Sequence, residues 1–175
     1  MIKRRILILD CTPHDEPSEG RLLKEFFQIC RLYKPAKASS LYYKINSKKS
    51  FLSKLNTGKR YDVIHISAHG PPEGEVGLGN GRTWMAKPKD IETTNHKAIL
   101  VFANACLASK QVIANAFKGA KYFLATRTEV EWIDAALFSL VFYKRYIVDG
   151  ISMRSAFEYA RKRTQTSGDY PNFWE

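Results

Sequence analysis

Two stretches of the sequence decide the fold: residues 61–70 read YDVIHISAHG, and residues 98–106 read AILVFANAC. Each begins with a run of apolar and β-branched residues, which is typical of a strand that is buried on both faces. Such strands belong to parallel sheets that helices cover on either side. We therefore predict that 61–67 and 98–102 are central strands of an α/β domain.

The flanking sequence alternates further strands and helices around these two. Additional strands are predicted at 6–9, 38–45 and 121–126. Helices are predicted after the N-caps Ser18, Ser47 and Ser152, and also over 109–118 and 131–148. The first two helices are predicted to end at Pro35 and Gly58. The Gly- and Pro-rich stretch 71–97 contains a small hairpin with its turn at Gly79-Asn80-Gly81. No repeat or linker divides the chain, so we predict one α/β domain over 1–175, with a mostly parallel sheet and helices on both faces.

The composition is that of an ordinary globular domain. The chain has 175 residues, of which 45% are hydrophobic and 26% charged. No apolar run approaches the ~20 residues of a membrane-spanning helix, so we expect no contact with a membrane. The apolar run at 6–9 is too short for a secretory signal and meets Asp10. Three cysteines without metal-ligand spacing favour reduced thiols and a cytoplasmic location.

Positive charge is concentrated in the first third of the chain. The net charge is +11, of which residues 1–60 carry +9, and no acidic residue lies between Glu25 and Asp62. Such a patch attracts nucleic acid or an acidic partner, but a solvated basic surface is the commoner explanation. Neither an aromatic RNA-binding signature nor a zinc-finger spacing accompanies the lysines. A basic nucleic-acid-binding domain therefore stays as a lesser alternative, which predicts affinity that falls steeply with salt.

Reactive side chains follow three of the predicted strands. Asp10 and Cys11 end the first strand, and His69 and Cys106 follow the two central ones, 37 residues apart. Sites in open α/β sheets gather at the carboxyl ends of the strands, so parallel neighbours would bring His69 and Cys106 together. A histidine, and the N-terminus of a helix starting near Ser109, would both favour the reactive thiolate.

The simpler interpretations of these residues remain open from the residues alone. A cysteine after a buried strand is more often a small core residue, and Cys11 and Cys30 are predicted to be structural. His65 lies in the middle of a strand and is predicted to be a hydrogen-bonded core residue. His14 and His96 fall in predicted loops, and the sequence indicates no partner for either.

The two stretches, joined by a Gly-rich hairpin, resemble the His-Gly and Ala-Cys motifs of caspase-like cysteine peptidases, and most closely those of CHAT domains. The segment 126–163, TRTEVEWIDAALFSLVFYKRYIVDGISMRSAFEYARKR, is similar to the C-terminal helices of that family. The resemblance covers roughly residues 60–165. It implies a caspase-like three-layer sandwich and a cysteine endopeptidase that acts on polypeptides in a regulated bacterial response.

The resemblance also implies roles for single residues. His69 would be the general base and acid, and Cys106 the nucleophile that forms a thioester, without metal or cofactor. The N–H groups of Gly70 and Cys106 would form the oxyanion hole. Asn104 stands where many caspase-like peptidases bind a basic P1 side chain through an acidic residue, and Asp10 is a second candidate for that pocket.

Two further possibilities follow from the same resemblance. The domain could keep the fold without the activity and act as an adaptor. As a domain without the helical repeats of many relatives, it could also depend on an activating protein supplied in trans.

Overall fold

The strands form the centre of the molecule. The computed structural model describes residues 3–34, 38–71, 75–166 and 168–170. Its strands are β1 (Arg4–Asp10), β2 (Ala38–Lys44), β3 (Arg60–Ser67), β4 (Leu78–Gly79), β5 (Met85–Ala86), β6 (Lys97–Asn104) and β7 (Ala120–Ala125). Five of them form one sheet in the order β2-β1-β3-β6-β7, and every pairing in it is parallel. The predicted parallel α/β sheet is confirmed.

Helices cover both faces of this sheet. They are α1 (Glu19–Tyr33), α2 (Lys48–Leu55), α3 (Pro88–Glu92), α4 (Gln111–Ala116), α5 (Trp132–Tyr143) and α6 (Met153–Arg163), with a π-helical segment at Lys144–Val148. Alternate residues of β3 show the two layers, because Ile64 and Ile66 pack in the core under α2, α3 and α4, while Val63 packs in the core under α1, α5 and α6. The strands are therefore apolar on both faces, as parallel strands between two helical layers must be.

The three helix starts predicted at serine N-caps are confirmed. The hydroxyls of Ser18, Ser47 and Ser152 each accept a hydrogen bond from the backbone N–H three residues later. Gly58 does not end the second helix, which stops at Leu55, and Pro35 lies outside the described residues. None of the described helices is long and apolar enough to cross a bilayer.

The insertion between β3 and β6 carries the predicted hairpin. β4 pairs antiparallel with β5, and the turn between them is wider than the three residues predicted. It is organised by Asn80, whose side-chain oxygen accepts hydrogen bonds from the N–H groups of Arg82, Thr83 and Trp84. A bridge between His69 and Gly79 ties the hairpin to the chain just beyond β3.

Candidate active site

The two strands that precede His69 and Cys106 are neighbours in the sheet. β3 pairs with β6 so that Ser67 lies opposite Asn104, and the N–H of Ala68 donates to the Asn104 carbonyl at 3.2 Å. His69 and Cys106 each follow two residues after this last pair. Both therefore leave the sheet at the same carboxyl edge, the expected position for a site in an α/β fold.

His69 and Cys106 also share the walls of two cavities. A cavity of about 50 Å³ lies between them, the loop before α5 and the first turn of that helix. A wider and more open cleft of about 380 Å³ has both residues in its wall together with Glu129 and Glu131. A molecule bound in either space would contact the imidazole and the thiol together.

Cys106 differs from the other two cysteines in its exposure. It is partly exposed, whereas Cys11 and Cys30 are buried, as predicted for structural cysteines. Burial raises the pKa of the Cys11 thiol well above its ordinary value, and burial also raises that of Cys30. Both buried thiols are thus kept in the unreactive protonated form, because the thiolate is the nucleophile.

Gly70 is pressed against Cys106. A β-carbon built on Gly70 would overlap the carbonyl oxygen of Cys106 and approach its Cβ to 3.2 Å. Only glycine allows this contact between the two chain segments. Among the described residues, neither the N–H of Gly70 nor that of Cys106 donates to an acceptor, so both stay available to a ligand.

The chain turns sharply after Cys106. Leu107 has a φ of 58°, a left-handed conformation that side-chain-bearing residues rarely adopt, and its N–H donates to Thr128 at 3.3 Å. The Thr126 hydroxyl donates to the Ala105 carbonyl on the other side of the turn. Strand β7 and the residues after it therefore hold the cysteine in place. Backbone conformations of this kind are common at functional sites.

The helix after Cys106 is shorter than predicted. The prediction placed its start near Ser109 and its length at ten residues, but α4 runs only over Gln111–Ala116. Its first residue is five positions beyond the cysteine, and the effect of a helix dipole is confined to its first turn. α4 therefore begins two residues later than predicted, and activation of the thiol by this helix stays a prediction.

His69 is held by groups that the sequence analysis missed. Its Nε2 lies 2.6 Å from Oε2 of Glu16, its ring meets Trp132 edge-on at 5.4 Å between centroids, and Gly81 leaves room for it on another side. A carboxylate only accepts hydrogen bonds, so Nε2 of a neutral imidazole carries the hydrogen and Nδ1 has the free lone pair.

Glu16 is itself anchored by the hairpin. Arg82 donates from Nη2 to Oε1 of Glu16 at 2.6 Å and from Nη1 to both oxygens of Asp15. The signal for this contact was present in the sequence, since Asp15 and Glu16 follow a strand that pairs with β3. Which side chain would reach His69 depends on the loop conformation, which no pattern indicated.

Asp10 does not line a specificity pocket. Its side chain is fully buried at the end of β1, where its two oxygens accept hydrogen bonds from Thr12, Ser18, Tyr42 and Lys44. Burial by itself raises the pKa of Asp10, but the hydrogen bonds and the Lys44 charge together hold this pKa below its ordinary value. The carboxylate is therefore satisfied inside the protein and does not line either cavity beside Cys106, which does not support the predicted contact with the substrate.

Asn104 forms part of the wall of the small cavity, but its amide is occupied. Its Nδ2 donates to Glu19, to the Ala135 carbonyl and to Ser139, and its Oδ1 accepts from Tyr170 at 2.6 Å. The side chain is only 4% exposed. Asn104 thus contributes to the wall of the cavity, but both ends of its amide are already bonded within the protein.

The Glu19 carboxylate links Asn104 to His65. Oε2 of the buried Glu19 lies 3.2 Å from Nε2 of His65, whose Nδ1 lies 2.9 Å from the Tyr143 hydroxyl. His65 is the buried, hydrogen-bonded residue that was predicted. This network lies beneath the sheet edge and stabilises it, because each buried polar group has a partner.

His96 has partners that the sequence did not indicate. Its Nδ1 lies 2.7 Å from the Thr94 hydroxyl, and its Nε2 accepts from the N–H of Gly119 at 3.3 Å. Burial lowers the pKa of His96. No group of three or more His, Cys, Asp or Glu in the described part of the chain is placed to hold a metal ion.

Known proteins share this architecture. No protein-family model and no curated protein matches the chain. Among solved structures, the Saccharomyces cerevisiae separase in its complex with securin aligns with a TM-score of 0.57 and 17% identity, over 91% of this chain and 10% of that one. The Arg-specific cysteine proteinase gingipain R aligns with a TM-score of 0.60 and 13% identity, over 94% of this chain and 43% of that one.

These likenesses define the class of fold. Separase and gingipain R belong to the caspase-like cysteine peptidases, and the chain has the caspase-like α/β fold. It spans a tenth of the separase chain and under half of the gingipain chain. The fold is what the comparisons establish, because fold alone does not determine activity.

Proposed function

We propose that the protein is a cysteine endopeptidase in which Cys106 is the nucleophile and His69 is the general base and acid. The observation that carries the proposal is the placement of the two residues at adjacent parallel strand ends, where they line the same cavity. The assignment is supported by the partly exposed thiol and by the burial of Cys11 and Cys30. It is also supported by the N–H groups of Gly70 and Cys106, which donate to no acceptor within the described part of the chain.

The chemistry assigned to these residues has two halves. Nδ1 of His69 takes the thiol proton, Sγ of Cys106 attacks the peptide carbonyl, and the N–H groups of Gly70 and Cys106 stabilise the resulting oxyanion. The C–N bond then breaks as His69 returns the proton to the leaving amine, which leaves a thioester. Water, deprotonated by His69, attacks the thioester and releases the acid and the free thiol.

Glu16 has a positioning role in this scheme. Its carboxylate holds the hydrogen on Nε2 of His69, so that Nδ1 is the basic nitrogen, and it stabilises the imidazolium that forms in each half. Arg82 keeps the carboxylate in place from the hairpin. In this scheme His69 activates the nucleophile Cys106, and the Glu16 carboxylate orients His69.

The type of domain, its location and its activating partner are inferred from the sequence resemblance. We infer that the domain is of the CHAT type, that it acts in the cytoplasm of a bacterium in a regulated response, and that a protein partner supplied in trans switches it on. Binding of securin is a property of the separase structure, and it supports here only the general idea of a protein partner.

Covalent labelling tests the proposal. The protein is treated with peptidyl acyloxymethyl ketones, and the adduct is located by mass spectrometry in wild type, His69→Ala and Cys30→Ala. We expect an adduct at Cys106 that is lost or strongly slowed in His69→Ala and unchanged in Cys30→Ala. Labelling that is independent of His69, or absent with every probe, would favour the inactive adaptor instead.

A further inference from the structure

The small cavity beside Cys106 limits which substrate side chains can bind next to the thiol. The P1 side chain is attached to the carbon next to the carbonyl that the thiol attacks, so it must lie within a few bonds of Sγ. The cavity of about 50 Å³ and the wider cleft both have His69 and Cys106 in their walls, but only the small cavity reaches between the strand ends, so we assign the P1 side chain to it. Its remaining walls come from Ala68, Asn104, Ala105, Thr126, Val130, Trp132 and Ala135.

The size of this cavity limits the side chain. At about 50 Å³ the cavity is several times smaller than the adjoining cleft of about 380 Å³. Trp132 closes one side and is fixed by its edge-on contact with His69, and Ala135 belongs to the buried face of α5. A small side chain fills the space, whereas a long one must displace packed residues.

The chemistry of the wall excludes a charged side chain. Apart from the imidazole, the lining holds no ionisable group besides the nucleophile itself. The two polar side chains are already engaged, since Thr126 donates to the Ala105 carbonyl and both ends of the Asn104 amide are bonded within the protein. A carboxylate or guanidinium placed there would lose its water without gaining a partner.

Resting on the proposed peptidase function, we infer that the enzyme cleaves after small, uncharged residues such as alanine or serine. This specificity differs from the preference for arginine that the name of gingipain R states for that protein. The carboxylates of Glu129 and Glu131 border only the wider cleft and not the small cavity. They are placed to meet substrate residues other than P1.

The test uses four peptidyl acyloxymethyl ketones that share one P2–P4 sequence and carry Ala, Leu, Arg or Asp at P1. The second-order rate constant for labelling Cys106 is measured by mass spectrometry for each probe. We expect the alanine probe to react about tenfold or more faster than the leucine probe, and about a hundredfold faster than the two charged ones.

Two variants connect this preference to the cavity. Val130→Ala widens the wall, and we expect it to raise the rate for the leucine probe relative to alanine severalfold. Ile133→Ala is the matched control, because Ile133 is 76% exposed on the adjacent turn and does not line the cavity. Its P1 profile should equal that of wild type.

The outcomes separate the two proposals. Labelling at Cys106 that is fastest with arginine, aspartate or leucine, or a Val130→Ala profile equal to wild type, would overturn the inference about P1 and leave the peptidase intact. Absence of labelling with all four probes would overturn both.

Discussion

Nε2 of His69 lies 2.6 Å from Oε2 of Glu16, although the two residues are 53 positions apart in the chain. The loop after β1 supplies the carboxylate, and Arg82 of the hairpin turn donates a hydrogen bond to its other oxygen, Oε1. Two separate segments, the loop after β1 and the hairpin turn, therefore orient one imidazole. A ring held in this way keeps Nε2 on Glu16 and leaves Nδ1 outside that contact.

Glu16→Gln should reduce kcat and leave KM nearly unchanged. The amide keeps the size of the side chain but no longer stabilises the imidazolium, so we expect kcat to fall by about 10²-fold, within the usual contribution of acid–base catalysis. Steady-state kinetics with a peptide cleaved by wild type measures the effect. Asp15→Asn is the control, because Asp15 binds Arg82 without reaching His69. Equal kcat values for Glu16→Gln and wild type would remove Glu16 from the mechanism.

Gly70→Ala should disrupt the site even though it adds a single methyl group. The new Cβ would overlap the Cys106 carbonyl, so the two strand ends must move apart, at a cost of about 1–3 kcal/mol. Urea unfolding should show this loss of stability, and labelling of Cys106 should slow. Gly168→Ala introduces the same methyl group where no atom of the described residues, its own chain neighbours aside, lies within 4 Å, and it should behave like wild type. A Gly70→Ala protein with normal stability and labelling would contradict the close approach.

The parts of this structure that the sequence predicts are those set by local pattern. Apolar runs identify all five strands of the main sheet, and serine caps mark three helix starts. Two-sided burial places β3 and β6 in the interior of the sheet, but β1 is buried in the same way, so the sequence left the adjacency of β3 and β6 as a condition. The structure supplies this adjacency, and the placement of His69 and Cys106 at one edge depends on it.

Long-range polar contacts are not encoded in such patterns. Asp10 is buried because Tyr42 and Lys44, on the neighbouring edge strand, reach it across the sheet. Glu16 meets His69 only because of how its loop folds over the strand ends. In both cases a carboxylate near a strand end is visible in the sequence, but whether it faces solvent, substrate or protein depends on partners far along the chain.

Glu19→Ala should destabilise the whole fold. Glu19 is 3% exposed, accepts from Asn104 and contacts His65, so its removal takes the partner of Nε2 of the buried His65 and one of the three acceptors of the Asn104 amide. We expect a loss of about 2–4 kcal/mol in the free energy of unfolding, measured by urea titration. Glu25→Ala on the same helix removes an exposed carboxylate, and its effect should stay within about 0.5 kcal/mol. Similar stabilities for the two variants would show that the buried network contributes little.

Asp10→Asn should change stability, and its effect should depend on pH. The pKa of Asp10 is lower in the folded protein than in the unfolded chain, so the ionised carboxylate stabilises the fold. This contribution is complete above the unfolded value of about 3.9 and is lost as the pH falls through the folded value. At pH 7 we expect the variant to be about 2–4 kcal/mol less stable than wild type, with the difference shrinking below about pH 4.

The same variant separates the two roles considered for Asp10. A buried structural carboxylate predicts altered urea midpoints with an unchanged order of P1 preference among the labelling probes. A substrate-binding carboxylate predicts the reverse, with normal stability and a loss of preference for basic side chains. Asp134→Asn, which removes an exposed carboxylate from α5, controls for the change in net charge. Because five hydrogen bonds already converge on Asp10, a change confined to specificity would mean that its surroundings rearrange when substrate binds.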